Sequence, residues 1–191
     1  MLSLAGTQQG VGFPYEQWYG GAGLGYQFKH ILKHHFENID PDKEHYLVVA
    51  GGYEFLQTIQ SGKTKDESRL IVEAVPGFRT PAGFLVRDTN RVEFRWVDGV
   101  YSTRYRNKLA IERDFLTRGF RFTPYASAEA FYDVTKSSWN EESYAGGVQW
   151  PYKRLLMLDT YYLLQKCPTC KPANVNVAGV TLNFYFGNSS K

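Results

Sequence analysis

The sequence predicts an all-β protein, a closed antiparallel up-and-down β-barrel of about ten strands. In the stretch 91–96, every second residue is apolar and the others are charged, which is the period of a strand with two unlike faces. Most such segments exceed the roughly five or six residues of an ordinary globular strand and match the roughly 9–11 that cross a bilayer obliquely. Aromatic residues make up 16% of the chain and glycine occurs 18 times, which suits strands joined by tight turns.

The segments follow one another along the chain without a domain linker, so residues 1–191 are interpreted as one barrel domain. Helical spacing is confined to 30–36, within a polar connection that runs to about residue 44. The stretches 63–67 and 136–140 are predicted to be polar loops. Residues 1–13 are a candidate tenth strand, and nine or twelve strands are the alternatives to ten. The other predicted strands span 15–28, 45–60, 67–77, 84–97, 101–115, 120–133, 142–151, 155–166 and 174–187.

Charge and hydropathy exclude several classes of protein. The 22 basic and 19 acidic residues leave a net charge of +3, too small an excess to indicate a nucleic-acid partner. No run of about 18 apolar residues is found, which excludes a transmembrane helix. The first residues lack the basic and apolar regions of an export signal. We therefore interpret the chain as either cytoplasmic or a mature form that carries a start Met.

The first hairpin is predicted from Asp98-Gly99, a type I′ turn signal flanked by alternating residues. Centring the turn on this dipeptide fixes the register of both strands. One face then pairs Trp96 with Tyr101, Phe94 with Thr103 and Val92 with Tyr105, and the other pairs Arg95 with Ser102, Glu93 with Arg104 and Arg91 with Arg106.

The second hairpin is centred on Thr117-Arg118 in the same way. Both registers place the charged residues on the same face, where opposed charges of unlike sign favour strand pairing. This register opposes Asp114 to Arg121, Glu112 to Thr123, Lys108 to Ser127 and Arg106 to Glu129.

The two hairpins therefore share one polar face and one nearly continuous apolar face, which Asn107 and Arg113 interrupt. Paired charges of this kind could form a binding site, a polar channel or a salt-bridged filling, and barrels of this size have interiors that side chains can fill. We expect filling. The predicted lumen-lining residues are Arg91, Glu93, Arg95, Arg104, Arg106, Lys108, Glu112, Ser127 and Glu129.

Periodicity alone does not decide which face points inward. A soluble barrel buries its apolar face, whereas a transmembrane barrel turns that face to lipid. Aromatic residues near strand ends, such as Trp96 and Trp150, suit the interfacial girdles of a membrane protein. Ala126, Ala128 and Ala130 would leave a soluble core underfilled, whereas lipid chains fill such gaps. These features, with the alternating aromatic ending VTLNFYF at 180–186, favour a transmembrane barrel.

Five stretches resemble, in order, a bacterial family catalogued as domain of unknown function 2490. They are DTNRVEFRW (88–96), RYRNKL (104–109), FTPYASAEAFYD (122–133), YAGGV (144–148) and DTYYLLQ (159–165). The resemblance covers about 83–186 and is vaguer before that, where GGYEF (51–55) is the main match. It implies a small outer-membrane β-barrel, exported by a cleaved signal and without an established activity.

From this resemblance we expect a monomer in the bacterial outer membrane. Its partners would be outer-membrane lipid and lipopolysaccharide, and the barrel-assembly machinery during biogenesis. If both termini are periplasmic, the stretches 98–99, 134–141 and 167–173 face outward, and 29–44 is an unusually long periplasmic turn.

Candidate chemistry is sparse. Cys167 and Cys170 form a C-x-x-C pair outside the βαβ setting of a thioredoxin-like motif, and they supply only half of a zinc site. We predict a loop disulfide between them. His30 and His34 are four residues apart, as some metal ligands are, but solvated turn histidines are the interpretation we favour, so no metal or cofactor is expected.

An enzyme requires a nucleophile with a base and an orienting group. Ser127 lies beside Glu129 on the polar face, but no histidine falls in the same region, so we expect no catalytic residues and no enzyme. Two alternatives to the outer-membrane barrel stay open. One is a soluble lipocalin-like carrier of a small ligand, and the other is an outer-membrane enzyme that modifies lipid.

Overall fold

The structure of the chain, a computed structural model, describes residues 2–8, 15–30, 43, 45–60, 63–152, 156–170 and 173–184. Side chains are described for 20–28, 43, 45–59 and the later ranges. The described residues form eleven strands. These are β1 (Leu2–Gln8), β2 (Tyr15–His30), β3 (His45–Gln60), β4 (Lys63–Arg79), β5 (Phe84–Val97), β6 (Val100–Arg113), β7 (Phe115–Thr117), β8 (Phe120–Asp133), β9 (Ser138–Tyr152), β10 (Leu156–Lys166) and β11 (Asn174–Phe184).

All pairings are antiparallel between neighbours in the chain, and the sheet order is β1-β2-β3-β4-β5-β6-β8-β9-β10-β11. The three-residue strand β7 continues the direction of β6 and pairs with β8. Ten strands in an up-and-down meander were predicted, and this is confirmed. The sheet is curled and open, since β1 and β11 form its two edges in the described residues; closure of the barrel stays a prediction.

Two predicted loops are wrong in their bounds. Residues 63–67 begin β4, because Lys63 pairs with Gln60 and the ladder to β3 runs uninterrupted from there. Likewise, 138–140 already belong to β9, after a turn that ends at Ser137 with φ 50°. Polar side chains suggested loops there, but backbone pairing extends the hairpins beyond the apolar stretches. Of the stretch with helical spacing, His30 ends β2 and 31–36 lie outside the described residues.

The first hairpin is confirmed pair by pair. Trp96 faces Tyr101, and Glu93 faces Arg104, as the turn centred on Asp98-Gly99 requires. Both turn residues have positive φ, 48° and 82°, as in a type I′ turn.

The register of the second hairpin was predicted wrongly. Its turn is centred on Arg118-Gly119, with φ of 51° and 79°, so Leu116 faces Arg121 and Arg106 faces Phe131. A type I′ turn needs positive φ at both central positions, and glycine adopts it without steric cost. The pairs therefore slip by two residues, which leaves every side chain on its predicted face. The observed opposed pairs on the polar face are Arg104–Asp133, Arg106–Phe131, Lys108–Glu129, Ala110–Ser127 and Glu112–Tyr125.

The glycine at this turn gives a first testable prediction. Gly119→Ala is expected to lower the free energy of unfolding by about 1–2 kcal/mol, because an alanine Cβ clashes with the backbone at positive φ. The measurement is the urea midpoint of the refolded protein. Thr117→Ala, at the neighbouring position of β7, is the control and is expected to stay within about 0.5 kcal/mol of wild type. Equal losses in the two variants would contradict the turn assignment.

The alternation sorts the two faces of the curled sheet. The concave face carries the charged residues, and Glu93 there is 0% exposed. The convex face carries apolar residues that are open to the surroundings, with Leu24 85% and Val180 71% exposed. A soluble antiparallel sheet has the opposite arrangement, because it buries its apolar face. No helix in the described part of the chain is long and apolar enough to cross a membrane.

Candidate functional site

The concave face holds a network of ion pairs whose centre is Glu93 of β5. Its carboxylate accepts from Arg104 Nη2 at 2.7 Å and from Arg106 Nη1 at 2.8 Å, and Arg91 lies 3.9 Å away. Strand alternation places these four side chains on one surface, since β5 and β6 present every second residue to it. A carboxylate with no exposed surface is tolerated because guanidinium groups neutralise it.

Arg106 connects Glu93 to a second carboxylate on the neighbouring strand β8. Its Nη2 also donates to Glu129 of β8 at 2.7 Å, so one guanidinium bridges two carboxylates. The ring of Phe131 lies under both arginines, 4.8 Å from the guanidinium carbon of Arg106 and 5.2 Å from that of Arg104. Cation–π contact therefore adds to the ion pairs of both arginines.

The ion-pair network also includes two glutamates of β4, of which Glu67 lies nearer the turn that follows β5. Glu67 accepts from Arg69 at 2.6 Å and also from Arg95. Further along β4, away from that turn, Glu73 accepts from Arg91 at 2.6 Å. Each carboxylate of this region therefore contacts at least one arginine of its own or a neighbouring strand.

A second polar cluster lies nearer the opposite end of the strands. Lys43, from the connection before β3, is 6% exposed, and its Nζ donates to Glu112 at 2.8 Å and to Gln149 at 2.7 Å. Because Glu112 belongs to β6 and Gln149 to β9, this lysine reaches across the concave side of the sheet. Beside it, the Tyr125 hydroxyl donates to Asp159 at 3.1 Å.

The break between β6 and β7 is held by Asp114. Its carboxylate accepts from Thr123 Oγ1 at 2.6 Å and from Arg121 Nη2 at 3.1 Å. Burial raises the pKa of this carboxyl, but the hydrogen bond from Thr123 and the charge of Arg121 outweigh burial and hold the pKa below its ordinary value. Asp114 and Arg121, expected to be directly opposed, thus form an ion pair diagonally across the hairpin.

The structure brings most of the predicted lumen residues together. Arg106 and Glu129 form an ion pair although they are diagonal rather than opposed, and Lys108 is the residue that lies opposite Glu129. Ser127 lies between Ala110 and Ala145, so its direct strand neighbours offer no base.

Sequence reasoning missed the acidic residues of β4 and the second cluster. Glu67, Arg69 and Glu73 alternate with Ser68, Leu70 and Val72, so the signal for the first group was present in the period of two. The second group, Lys43 with Tyr125 and Asp159, had no comparable signal, because its members are far apart in the chain.

The two remaining candidate sites predicted from the sequence are the cysteine pair and the histidines. Cys167 and Cys170 are joined in a disulfide within the turn between β10 and β11, with Cys167 buried. Of the two histidines considered as metal ligands, His30 ends β2 and His34 lies outside the described residues. Within the described ranges, no group of three or more His, Cys, Asp or Glu side chains could hold a metal ion.

Aromatic rings gather near both ends of the convex face. Towards the end marked by the Asp98-Gly99 turn, Trp96 packs on Tyr101 at 5.3 Å, and Trp139 packs on Tyr132 at 5.3 Å. At the other end, Trp150 contacts the rings of Phe120 and Phe122 at 5.7 Å and 5.8 Å. These rings form two bands near the strand ends, and the exposed side chains of Tyr53, Tyr144 and Tyr162 lie between the bands on the same face.

The comparison with known families gives one match. A family model described as a protein of unknown function, DUF2490, matches residues 42–176, which is most of the chain. The chain belongs to the DUF2490 family. The resemblance seen in the sequence is therefore confirmed, and the match begins earlier than the predicted 83, at the connection before β3.

The DUF2490 match includes both polar clusters, since Lys43, Glu67 and Asp159 all fall within it. No curated protein matches this DUF2490 chain. The family description names no activity, so the geometry of the two faces is the main guide to function.

Proposed function

We propose that this DUF2490 protein is an integral β-barrel of the bacterial outer membrane, with its convex face against lipid and its concave face as a charge-filled lumen. The observation that carries the proposal is the sorting of the faces. Exposed Leu24, Leu182 and Val180 lie on one side, and fully buried Glu93 lies on the other. Transmembrane barrels have this arrangement, with apolar residues outward and polar residues inward.

The two aromatic bands support the same proposal. Trp and Tyr are favoured at both membrane interfaces, where an apolar ring and a polar edge meet different surroundings. Strands of 11 to 17 residues from β2 to β11, apart from β7, are long enough to cross the hydrocarbon layer. A lipocalin-like carrier needs its apolar face on the concave side to line a ligand cavity, and in this structure the charges occupy that side.

Within this proposal, the role we favour is structural or binding, with a narrow conduit for small solutes as the alternative. The carboxylates of Glu67, Glu73, Glu93 and Glu129 are all paired with arginine, and their side chains are at most 19% exposed. Side chains that pair across a small lumen fill it instead of lining a wide aqueous path.

Detergent dependence tests the membrane assignment. The chain is refolded with and without detergent micelles, and its gel mobility is compared before and after boiling. We expect a compact, heat-modifiable band only in the samples with detergent, because the convex face needs an apolar solvent. A folded monomer in plain buffer would contradict the proposal.

A substitution of Lys43, whose side chain spans the concave side, tests whether the lumen is filled. In planar bilayers, we expect wild type to show no sustained conductance and Lys43→Met to show discrete openings, because Glu112 and Gln149 lose the side chain that spans the concave side. Lys136→Met is the matched control, since that lysine lies in a turn with its side chain 64% exposed. Equal conductance in all three proteins would contradict a blocking role for Lys43.

A further inference from the structure

The convex face contains a polar interruption in the interior of β5 and β6, on the side of the band that includes Trp139, whose ring lies 6.3 Å from that of Tyr105. We call it the polar notch and define it as Asp88 and Asn90 of β5 with Tyr105 and Asn107 of β6. All four side chains share the convex face with Val92 and Leu109, because they alternate with the charged residues of the concave face. They lie in the interior of both strands, so they would be at membrane depth if the proposed function holds.

The notch is internally hydrogen-bonded, and this bonding uses up its donors. Asn107 Nδ2 donates to Asp88 Oδ1 at 2.7 Å and to Asn90 Oδ1 at 3.2 Å. Asn90 Nδ2 donates to Asp88 Oδ2 at 3.1 Å and to the Asp88 carbonyl at 3.3 Å. The Tyr105 hydroxyl donates to Asn90 Oδ1. The N–H and O–H groups of the four side chains are thereby engaged.

The notch therefore retains unused hydrogen-bond acceptors and the negative charge of Asp88. Each oxygen of the Asp88 carboxylate receives one side-chain donor, whereas an ionised carboxylate can accept about four. In the described residues, no Lys or Arg forms an ion pair with Asp88, in contrast to the carboxylates at the centre of the concave network. A charge in hydrocarbon is costly unless it is paired, so the notch is complementary to a donor that carries a positive charge.

The surroundings of the notch allow a close approach. In the register, Asn90 lies beside Ala74 of β4, and Asn107 lies beside Ala130 of β8. Small side chains on both flanks let the backbone of a membrane-embedded partner come near, as in the interfaces of transmembrane segments.

We infer that the polar notch is a lateral docking site for a membrane-embedded segment of another protein that presents a Lys or Arg side chain to Asp88. This inference rests on the proposed function, because it needs the convex face to be in lipid. A second copy of this chain is a poor occupant at the same depth, since two notches would oppose acceptor to acceptor.

A designed peptide tests the inference on the full chain. The protein is refolded into phosphatidylcholine vesicles and mixed with a Leu/Ala transmembrane peptide of about 20 residues that carries one central Lys and a dansyl group. Energy transfer from the protein's tryptophans to dansyl reports binding. We expect the Lys peptide to bind at least tenfold more tightly than the same peptide with a central Leu.

Variants then assign the difference to the notch. Asp88→Asn removes the charge with little change of shape and is expected to abolish the preference for the Lys peptide. Asp98→Asn removes a carboxylate from the hairpin turn and is expected to retain the preference. Equal binding of both peptides, no binding of either, or an unchanged preference in Asp88→Asn would overturn the inference.

Two further readouts separate the possible failures. Heat-modifiable mobility of the wild-type protein in the vesicles shows whether the barrel has inserted. If the barrel inserts but binds both peptides equally, only the docking role of the polar notch is contradicted. If the barrel does not insert, the proposed function is contradicted as well. Association of two labelled copies of the chain can be followed by energy transfer between their labels. If the Lys peptide reduces this energy transfer, the notch is a self-association surface and the inference is overturned.

Discussion

Glu93→Gln is expected to lower the free energy of unfolding by about 3–5 kcal/mol, the range for breaking a buried ion pair by removing one partner. The amide keeps the shape of the side chain but carries no charge, so Arg104 and Arg106 lose the carboxylate between them. Glu129 still neutralises Arg106 at 2.7 Å, whereas the guanidinium of Arg104 is left without this partner. The measurement is urea unfolding in detergent micelles, followed by tryptophan fluorescence.

The matched control is Glu142→Gln on the convex side of β9. That carboxylate is exposed and accepts a hydrogen bond from the Tyr144 hydroxyl, so its loss is expected to cost less than about 1 kcal/mol. Similar stabilities for the two variants would mean that water screens the concave network, and the interpretation of a filled lumen would then be wrong.

Ala128→Arg is expected to prevent insertion of most of the protein. Ala128 is exposed on the convex face, opposite Leu109 of β6 and Tyr144 of β9. An arginine near the middle of the lipid-facing surface costs about 2–4 kcal/mol in transmembrane barrels. The heat-modifiable band that wild type forms in detergent or vesicles is expected to fall to a minor fraction.

The position matters more than the residue introduced, and Val134→Arg tests this. Val134 is 47% exposed, but it lies in the turn between β8 and β9, where an arginine can remain in water. This variant is expected to insert like wild type. If Ala128→Arg also inserts fully, the convex face does not contact hydrocarbon at that depth, and the membrane assignment fails.

Local signals were sufficient for much of the architecture. The period of two around Glu93 and Phe94 predicted both faces, and the Asp98-Gly99 turn predicted the β5–β6 register pair by pair. The same reasoning failed at Gly119, where the turn was centred one residue too early. The faces were still correct, because a slip of two residues preserves the side on which a side chain lies.

In the candidate site too, contacts between neighbouring residues were predicted and contacts between residues far apart in the sequence were not. Arg91, Glu93, Arg104 and Arg106 were predicted because they alternate within one hairpin. The contacts of Lys43 with Glu112 and Gln149 span 69 and 106 residues of sequence, and no periodic pattern links such positions. Contacts of this kind depend on how far the sheet curls.

The sequence by itself determined that the chain is a ten-strand meander with one charged and one apolar face, because alternation and turn chemistry are properties of neighbouring residues. Only the tertiary structure decided which face is concave and which arginine neutralises which carboxylate. Those outcomes depend on the direction of curling and on diagonal contacts between strands. The residues of one strand do not encode either of them, since a flat sheet has neither a concave nor a convex face until it bends.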